Sequence, residues 1–159
     1  METKTFIKKG KDIYNGENLL ECRGEELRKL RGKEIAMILQ NPMTCFDPLY
    51  TVGYQIAETF TEHTSYSAEE IKKKSIEFLE KIQLKNPEDI LLKLPQQLSG
   101  GMLQRIMIGL ALAMNPKFII ADEPTTAIDA ITQYEIMKEF QKIKKDGKVG
   151  MIFISHDLG

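Results

Sequence analysis

An α/β fold, with a mostly parallel sheet and a helical subdomain, follows from three features of the sequence. Apolar runs of strand length stand at 34–39, 118–123 and 149–154. Each delivers polar side chains to its end: Gln40, the pair Asp122 and Glu123, and His156. Helical periodicity fills the intervals, and strands that alternate with helices pair in parallel.

Taken in order, the first 20 residues alternate around Ile13 and Tyr14, with Asn15-Gly16 as a turn, which predicts a short strand or hairpin. Leu27 and Leu30 lie in a brief charged helical stretch ended by Arg31-Gly32. The run 34–39 is a compact strand that carries Gln40; Asn41-Pro42 breaks it, and Phe46-Asp47-Pro48-Leu49 continues the loop. From Val52 to Met114 the pattern is helical. Ser67-Ala68-Glu69-Glu70 has capping-box spacing, after which Ile71, Phe78, Leu79 and Ile82 share a packing face while Lys72, Lys73 and Lys74 face solvent. Asn86-Pro87 restarts the chain and Pro95 closes a short helix. The helix after Gly101 carries Leu103, Ile106, Met107, Leu110 and Met114 until Asn115-Pro116 ends it. Beyond the strand at 118–123 come a loop, a helix at about 130–145 with Ile136, Met137, Phe140 and Ile143 inward, a stop at Asp146-Gly147, and the last strand.

Bulk properties narrow the function. A chain of 159 residues, 42% hydrophobic and 28% charged, is one domain's worth of ordinary globular composition. A net charge of -1, with no basic cluster interleaved with aromatics, argues against nucleic acid as a partner. The longest apolar run, 106–114, falls far short of the roughly 20 residues that span a bilayer. No signal peptide opens the chain, so a cytoplasmic protein without direct membrane insertion is expected. Cys22 and Cys45 form no C-x-x-C and have no histidine nearby, which reads as two free thiols; His63 reads as a solvated loop residue.

Two stretches carry chemistry. Leu98-Ser99-Gly100-Gly101-Met102-Leu103-Gln104 puts a hydroxyl and two glycines at a helix start, where unpaired N–H groups and the helix dipole hold an anion. Phe118-Ile119-Ile120-Ala121-Asp122-Glu123-Pro124 is an apolar strand ending in two carboxylates, and ligands of open α/β sheets bind beyond the carboxyl ends of strands. Asp122 can hold Mg²⁺ directly or through water, Glu123 can orient or deprotonate water, and the Gln40 amide is a neutral ligand. Singly, each is an ordinary cap, strand end or edge residue. Their order and spacing point to phosphate and Mg²⁺ chemistry.

In that order these residues resemble the nucleotide-binding domain of ABC transporters, from roughly Tyr14 to the end. The stretch from Leu98 to Met102 is similar to the signature loop, with Met102 where glutamine is common. Phe118 to Glu123 is similar to the Walker B strand, Ala127-Ile128-Asp129 to the D-loop, Gln40 to the Q-loop glutamine and His156 to the switch histidine. Gln40-Asn41-Pro42, Phe46-Asp47-Pro48-Leu49 and Ala121-Asp122-Glu123-Pro124-Thr125-Thr126 resemble importer ATPases for oligopeptides, dipeptides and nickel, and Leu103 leans toward the nickel branch.

The resemblance implies a partial P-loop NTPase (ABC ATPase) fold: 1–51 with the Q-loop, a helical subdomain at 52–114 with the signature loop, and 115–159 with Walker B, D-loop and switch histidine. It implies ATP and Mg²⁺ as cofactors, with Asp122 and Gln40 on the metal and Glu123, His156 and Gln40 in catalysis. Ser99, Gly100, Gly101 and Met102 would contact ATP held by a second ABC ATPase subunit, in a homo- or heterodimer, and Asp129 would communicate across that interface. Membrane permease subunits would meet the segment from Gln40 through the helical region, placing the protein on the inner face of the cell membrane.

The family's phosphate-binding loop, G-x-x-x-x-G-K-[ST], does not occur in the sequence, and Gly10-Lys11 is no remnant of it because Asp12 follows. In the family that loop precedes this segment, and the domain continues past the histidine. The expectation is a truncated importer ATPase, inactive alone. Two alternatives stand beside it: an inactive partner module that donates its signature loop to another ATPase, and a non-transport ABC ATPase, against which Phe46-Asp47-Pro48 argues.

Overall fold

The computed structural model describes residues 10–124, 128–145 and 149–155. Its sheet has three parallel strands: β3 (Ile35–Ile38), β4 (Phe118–Asp122) and β5 (Gly150–Ile154), with β4 in the centre. The register runs from Ile35 opposite Phe118 to Ile38 opposite Ala121, and from Phe118 opposite Gly150 to Asp122 opposite Ile154. This parallel order brings the three carboxyl ends to one edge.

Ahead of the sheet stands the expected hairpin, β1 (Ile13–Tyr14) and β2 (Glu17–Asn18). Asn15 and Gly16 turn it with φ of 50° and 86°, the positive angles of a type I′ turn. Tyr14 O–H donates to Glu34 Oε2 at 3.2 Å, which ties the hairpin to the sheet. β3 is a residue shorter at each end than 34–39; just before it the Glu34 carbonyl accepts from Lys117 N at 3.0 Å and Phe118 N at 2.9 Å. The Glu34 carboxylate also pairs with Lys117 Nζ at 2.9 Å.

Between hairpin and sheet lies α1 (Gly24–Leu30). After it Gly32 takes φ +77°, and His63 fills the space above: a Cβ on Gly32 would sit 2.8 Å from His63 Nε2. The expectation of a solvated loop histidine is therefore corrected. His63 is the last residue of a helix and is half-buried over a glycine that has no side chain to oppose it.

The helical region comprises α2 (Val52–His63), α3 (Ala68–Lys81), α4 (Pro87–Leu92) and α5 (Gly100–Ala113). The capping box of α3 is complete: Glu70 N donates to Ser67 Oγ at 3.3 Å and Ser67 N to Glu70 Oε2 at 2.7 Å. α4 ends at Leu92, and Pro95 opens a 3₁₀ turn (Pro95–Gln97) instead of closing the helix. The Lys93 carbonyl is taken by Val52 N at 2.8 Å, which joins the end of α4 to the start of α2. Val52, Ile56, Phe60, Phe78, Leu79, Leu103 and Ile106 form the centre of the core, each contributing about 1.5–3 kcal/mol by burial.

α6 (Ala130–Lys145) covers one sheet face with Ile136 and Phe140, and Phe140 meets Phe153 edge-on at 5.1 Å. On the other face Met37, Ile152 and Ile154 remain 56%, 48% and 48% exposed, so among the described residues this side of the sheet is open. Both cysteines are free thiols, and no helix among the described residues is long and apolar enough to cross a membrane.

Candidate functional site

Parallel pairing of β3 and β4 decides the geometry of the site. With Ile38 opposite Ala121, the chain leaves the sheet at neighbouring points, and Gln40 meets Glu123 across 83 positions of sequence. Gln40 Nε2 donates to Glu123 Oε2 at 2.6 Å, a short bond to a half-buried carboxylate. The other end of the amide, Gln40 Oε1, is an acceptor.

Glu123 itself is held in an uncommon conformation. Its φ of +46° is left-handed, rare for a side-chain-bearing residue and more restricted still before Pro124. Glu123 N donates to Ile154 O at 2.9 Å and Pro124 is buried, so the turn is fixed on both sides. Asp122, the last residue of β4, is half-buried beside it.

Sequence reasoning missed Gln104. This side chain is fully buried, and its Nε2 donates to Pro124 O at 2.9 Å and Leu39 O at 3.4 Å. Its Oε1 is buried with no partner among the described residues. A signal was present: Gln104 stands three and four positions before the buried Met107 and Ile108, on the inward stripe of α5. Gln55 was missed as well. It accepts from Asp47 N at 2.8 Å and donates to Asp47 O and Tyr50 O at 2.9 Å each, bracing the loop after Gln40.

The helix start expected after Ser99 is formed. Ser99 caps α5, its Oγ accepting from Met102 N at 3.2 Å, and the first helical bond runs from Leu103 N to Ser99 O at 3.1 Å. Ser99 and Gly100 are exposed, Gly101 and Met102 half-buried. Among the described residues, apart from its chain neighbours and its own helix backbone, nothing lies within 4 Å of where a Gly100 Cβ would be, so their packing gives no reason for glycine there. Arg105, one turn on, donates to Gly101 O and Gln83 O at 3.4 Å. Burial pulls its guanidinium below its ordinary range, and the nearby Asp129 carboxylate opposes that shift. Asp129 is exposed just before α6, its carbonyl accepting from Gln133 N at 2.8 Å.

The structure thus gathers Gln40, Asp122 and Glu123 at one sheet edge and sets Ser99, Gly100, Gly101 and Met102 at the start of α5. His156 and the residues 125–127, including Ala127, lie outside the described residues.

No group of three or more His, Cys, Asp or Glu among the described residues is placed to hold a metal. Mg²⁺ asks for less: one or two carboxylates, with waters and substrate phosphates completing an octahedron of oxygens. The Asp122 carboxylate and the Gln40 amide oxygen, at the ends of neighbouring strands, are hard oxygen donors of that kind, so the chemistry of the residues fits the ion.

Comparison with known proteins gives a consistent family. The ABC transporter family model matches residues 2–126. The chain is 53% identical over 149 residues to the metal-staphylopine import system ATP-binding protein of Staphylococcus aureus, covering 94% of this chain and 55% of that protein. It is 42% identical over 154 residues to the oligopeptide transport ATP-binding protein of Bacillus subtilis, covering 97% and 43%. The chain therefore spans about half the length of the curated relatives it matches. Among solved structures, the ATP-binding cassette MJ0796, dimeric in a post-hydrolysis state and bound to ADP and Pi, aligns with TM-score 0.83 at 29% identity, covering 95% of this chain and 64% of that one.

Proposed function

The chain belongs to the ABC transporter family of ATP-binding proteins, and on that premise we propose that it is part of the ATP-binding subunit of an importer for peptides or a chelated metal such as nickel. The single observation that carries the reading is the Gln40–Glu123 bond at the carboxyl edge of the sheet. It fixes the Glu123 carboxylate at the edge where Asp122 ends β4.

In this reading Glu123 orients the attacking water and takes its proton, and the strained turn at Glu123 keeps the carboxylate at the edge. Asp122 and Gln40 Oε1 would hold Mg²⁺, which when bound neutralises charge on the phosphates. His156 would contact the terminal phosphate. Ser99, Gly100 and Gly101 would present hydroxyl and backbone N–H groups to ATP held by a second subunit, in a head-to-tail dimer with Asp129 at the interface. The open Cβ position of Gly100 supports this, since the glycine then serves a ligand arriving from outside.

Docking to a permease is supported by an exposed apolar group near the Gln40 loop: Met43, Leu49, Leu92, and Tyr50 stacked on Tyr54 at 4.9 Å. Such a subunit works at the cytoplasmic face of the membrane.

In the assembled ATPase that contains this chain, Glu123→Gln should keep ATP binding and lose turnover by about 10²–10⁴-fold. Unchanged turnover would overturn the assignment. A second reading is a module that lends its signature loop to another ATPase without hydrolysing ATP, and the capped helix start at Ser99 supports the part that loop would play. It requires a partner, so failure to co-purify with any intact ATPase or permease counts against it.

A further inference from the structure

We propose that Gln104 is a positioning residue that couples the helix headed by Ser99-Gly100-Gly101 to the pair Gln40–Glu123 at the sheet edge. The side chain leaves the second turn of α5 and is fully buried. Its neighbours are both backbone carbonyls, so the NH₂ end must face them: Pro124 O at 2.9 Å and Leu39 O at 3.4 Å. Leu39 directly precedes Gln40 and Pro124 directly follows Glu123, the two residues joined at 2.6 Å. One amide therefore spans both loops that carry the pair.

The consequence is mechanical. A shift of α5 along its axis changes both Gln104 bonds together and so moves Gln40 and Glu123 relative to each other. An event at Ser99-Gly100-Gly101 is thereby relayed to the base at Glu123 by a residue that touches neither ligand. The relay rests on the reading of Glu123 given above, whereas the coupling of the two loops does not.

Hydrogen exchange on the full chain without nucleotide tests the coupling. Gln104→Met removes both donors at nearly constant volume. Exchange at 37–43 and 121–124 should then rise about tenfold, as for the loss of one ordinary hydrogen bond, while α2, α3 and α4 keep their rates. A rise in only one of the two segments, no rise, or an equal rise throughout would overturn the proposal. Should the variant fail to fold, NMR on the unaltered chain decides: the Gln104 side-chain NH₂ should exchange at least about tenfold more slowly than that of the exposed Gln96, and equal rates contradict the bridging geometry. In the assembled ATPase, Gln104→Met should lower kcat with KM for ATP unchanged. If the exchange result holds but Glu123→Gln leaves turnover intact, the coupling stands and the functional reading falls.

Discussion

From Val52 to Ala113, four helices bury Val52, Ile56, Phe60, Leu79, Leu103 and Ile106 against one another, while the carboxyl edge of the sheet rests on the bonds of Gln40, Gln104 and the Glu123 amide. The first region spreads its stability over many equivalent apolar contacts. The second concentrates its geometry in a few polar atoms contributed from distant parts of the sequence and accepts one left-handed residue, Glu123. The difference teaches what a single side chain decides: in the helical region its loss is read in stability, and at the edge it is read in the placement of Gln40 and Glu123.

Removing a core side chain should give the largest effect on stability. Leu103, with no exposure, is predicted to cost about 3 kcal/mol as Leu103→Ala, read from urea unfolding. A loss below about 1 kcal/mol would mean that the helical region is less tightly packed than described. Next comes the cap of α3. Ser67→Ala should cost about 1 kcal/mol, because it leaves Glu70 N without its oxygen and ends the reciprocal box.

At the edge the sign should reverse. Glu123→Gly relieves the positive φ at the cost of the Gln40 bond, so stability should hold or rise by about 0.5 kcal/mol. A drop of more than about 1 kcal/mol would show that the edge supports the fold after all.

The smallest effect is electrostatic. The Glu34 carboxyl is held below its usual range, first by its hydrogen bond from Lys117 and also by Tyr14. A lowered folded-state pKa means that this contribution is present above the ordinary carboxylate range and lost as pH falls through it. Unfolding midpoints should therefore decline slightly as pH falls from about 5 toward 3, and Glu34→Gln should flatten that slope. An identical slope in the variant would remove Glu34 from the account.

The same contrast explains what the sequence made legible. Ser67 with Glu70, Asn15-Gly16, and the helix at 130–145 are local signals, and each stands where the spacing put it. Gln40, Asp122 and Glu123 stood out because they end or follow apolar strands. What sequence reasoning left unread depends on distant partners. The His63 ring is placed by Gly32, the turn at Pro95 by the earlier end of α4, and Gln104 by two carbonyls outside its helix. A polar residue on an apolar stripe is a visible anomaly, but only the folded chain shows which backbone atoms it satisfies.

The central claim is that Glu123 serves its own chain's nucleotide while Ser99-Gly100-Gly101 serves a partner's. Mixing two inactive forms of the assembled ATPase, one carrying Gly100→Asp and the other Glu123→Gln, tests it most directly. If the helix start acts across the dimer, the mixed dimer contains one intact site, formed by Glu123 of the first chain and Gly100 of the second, and ATP turnover returns on mixing. If both groups act on the same chain's nucleotide, every site in the mixture carries a defect; turnover absent from a mixture that demonstrably forms mixed dimers would contradict the account.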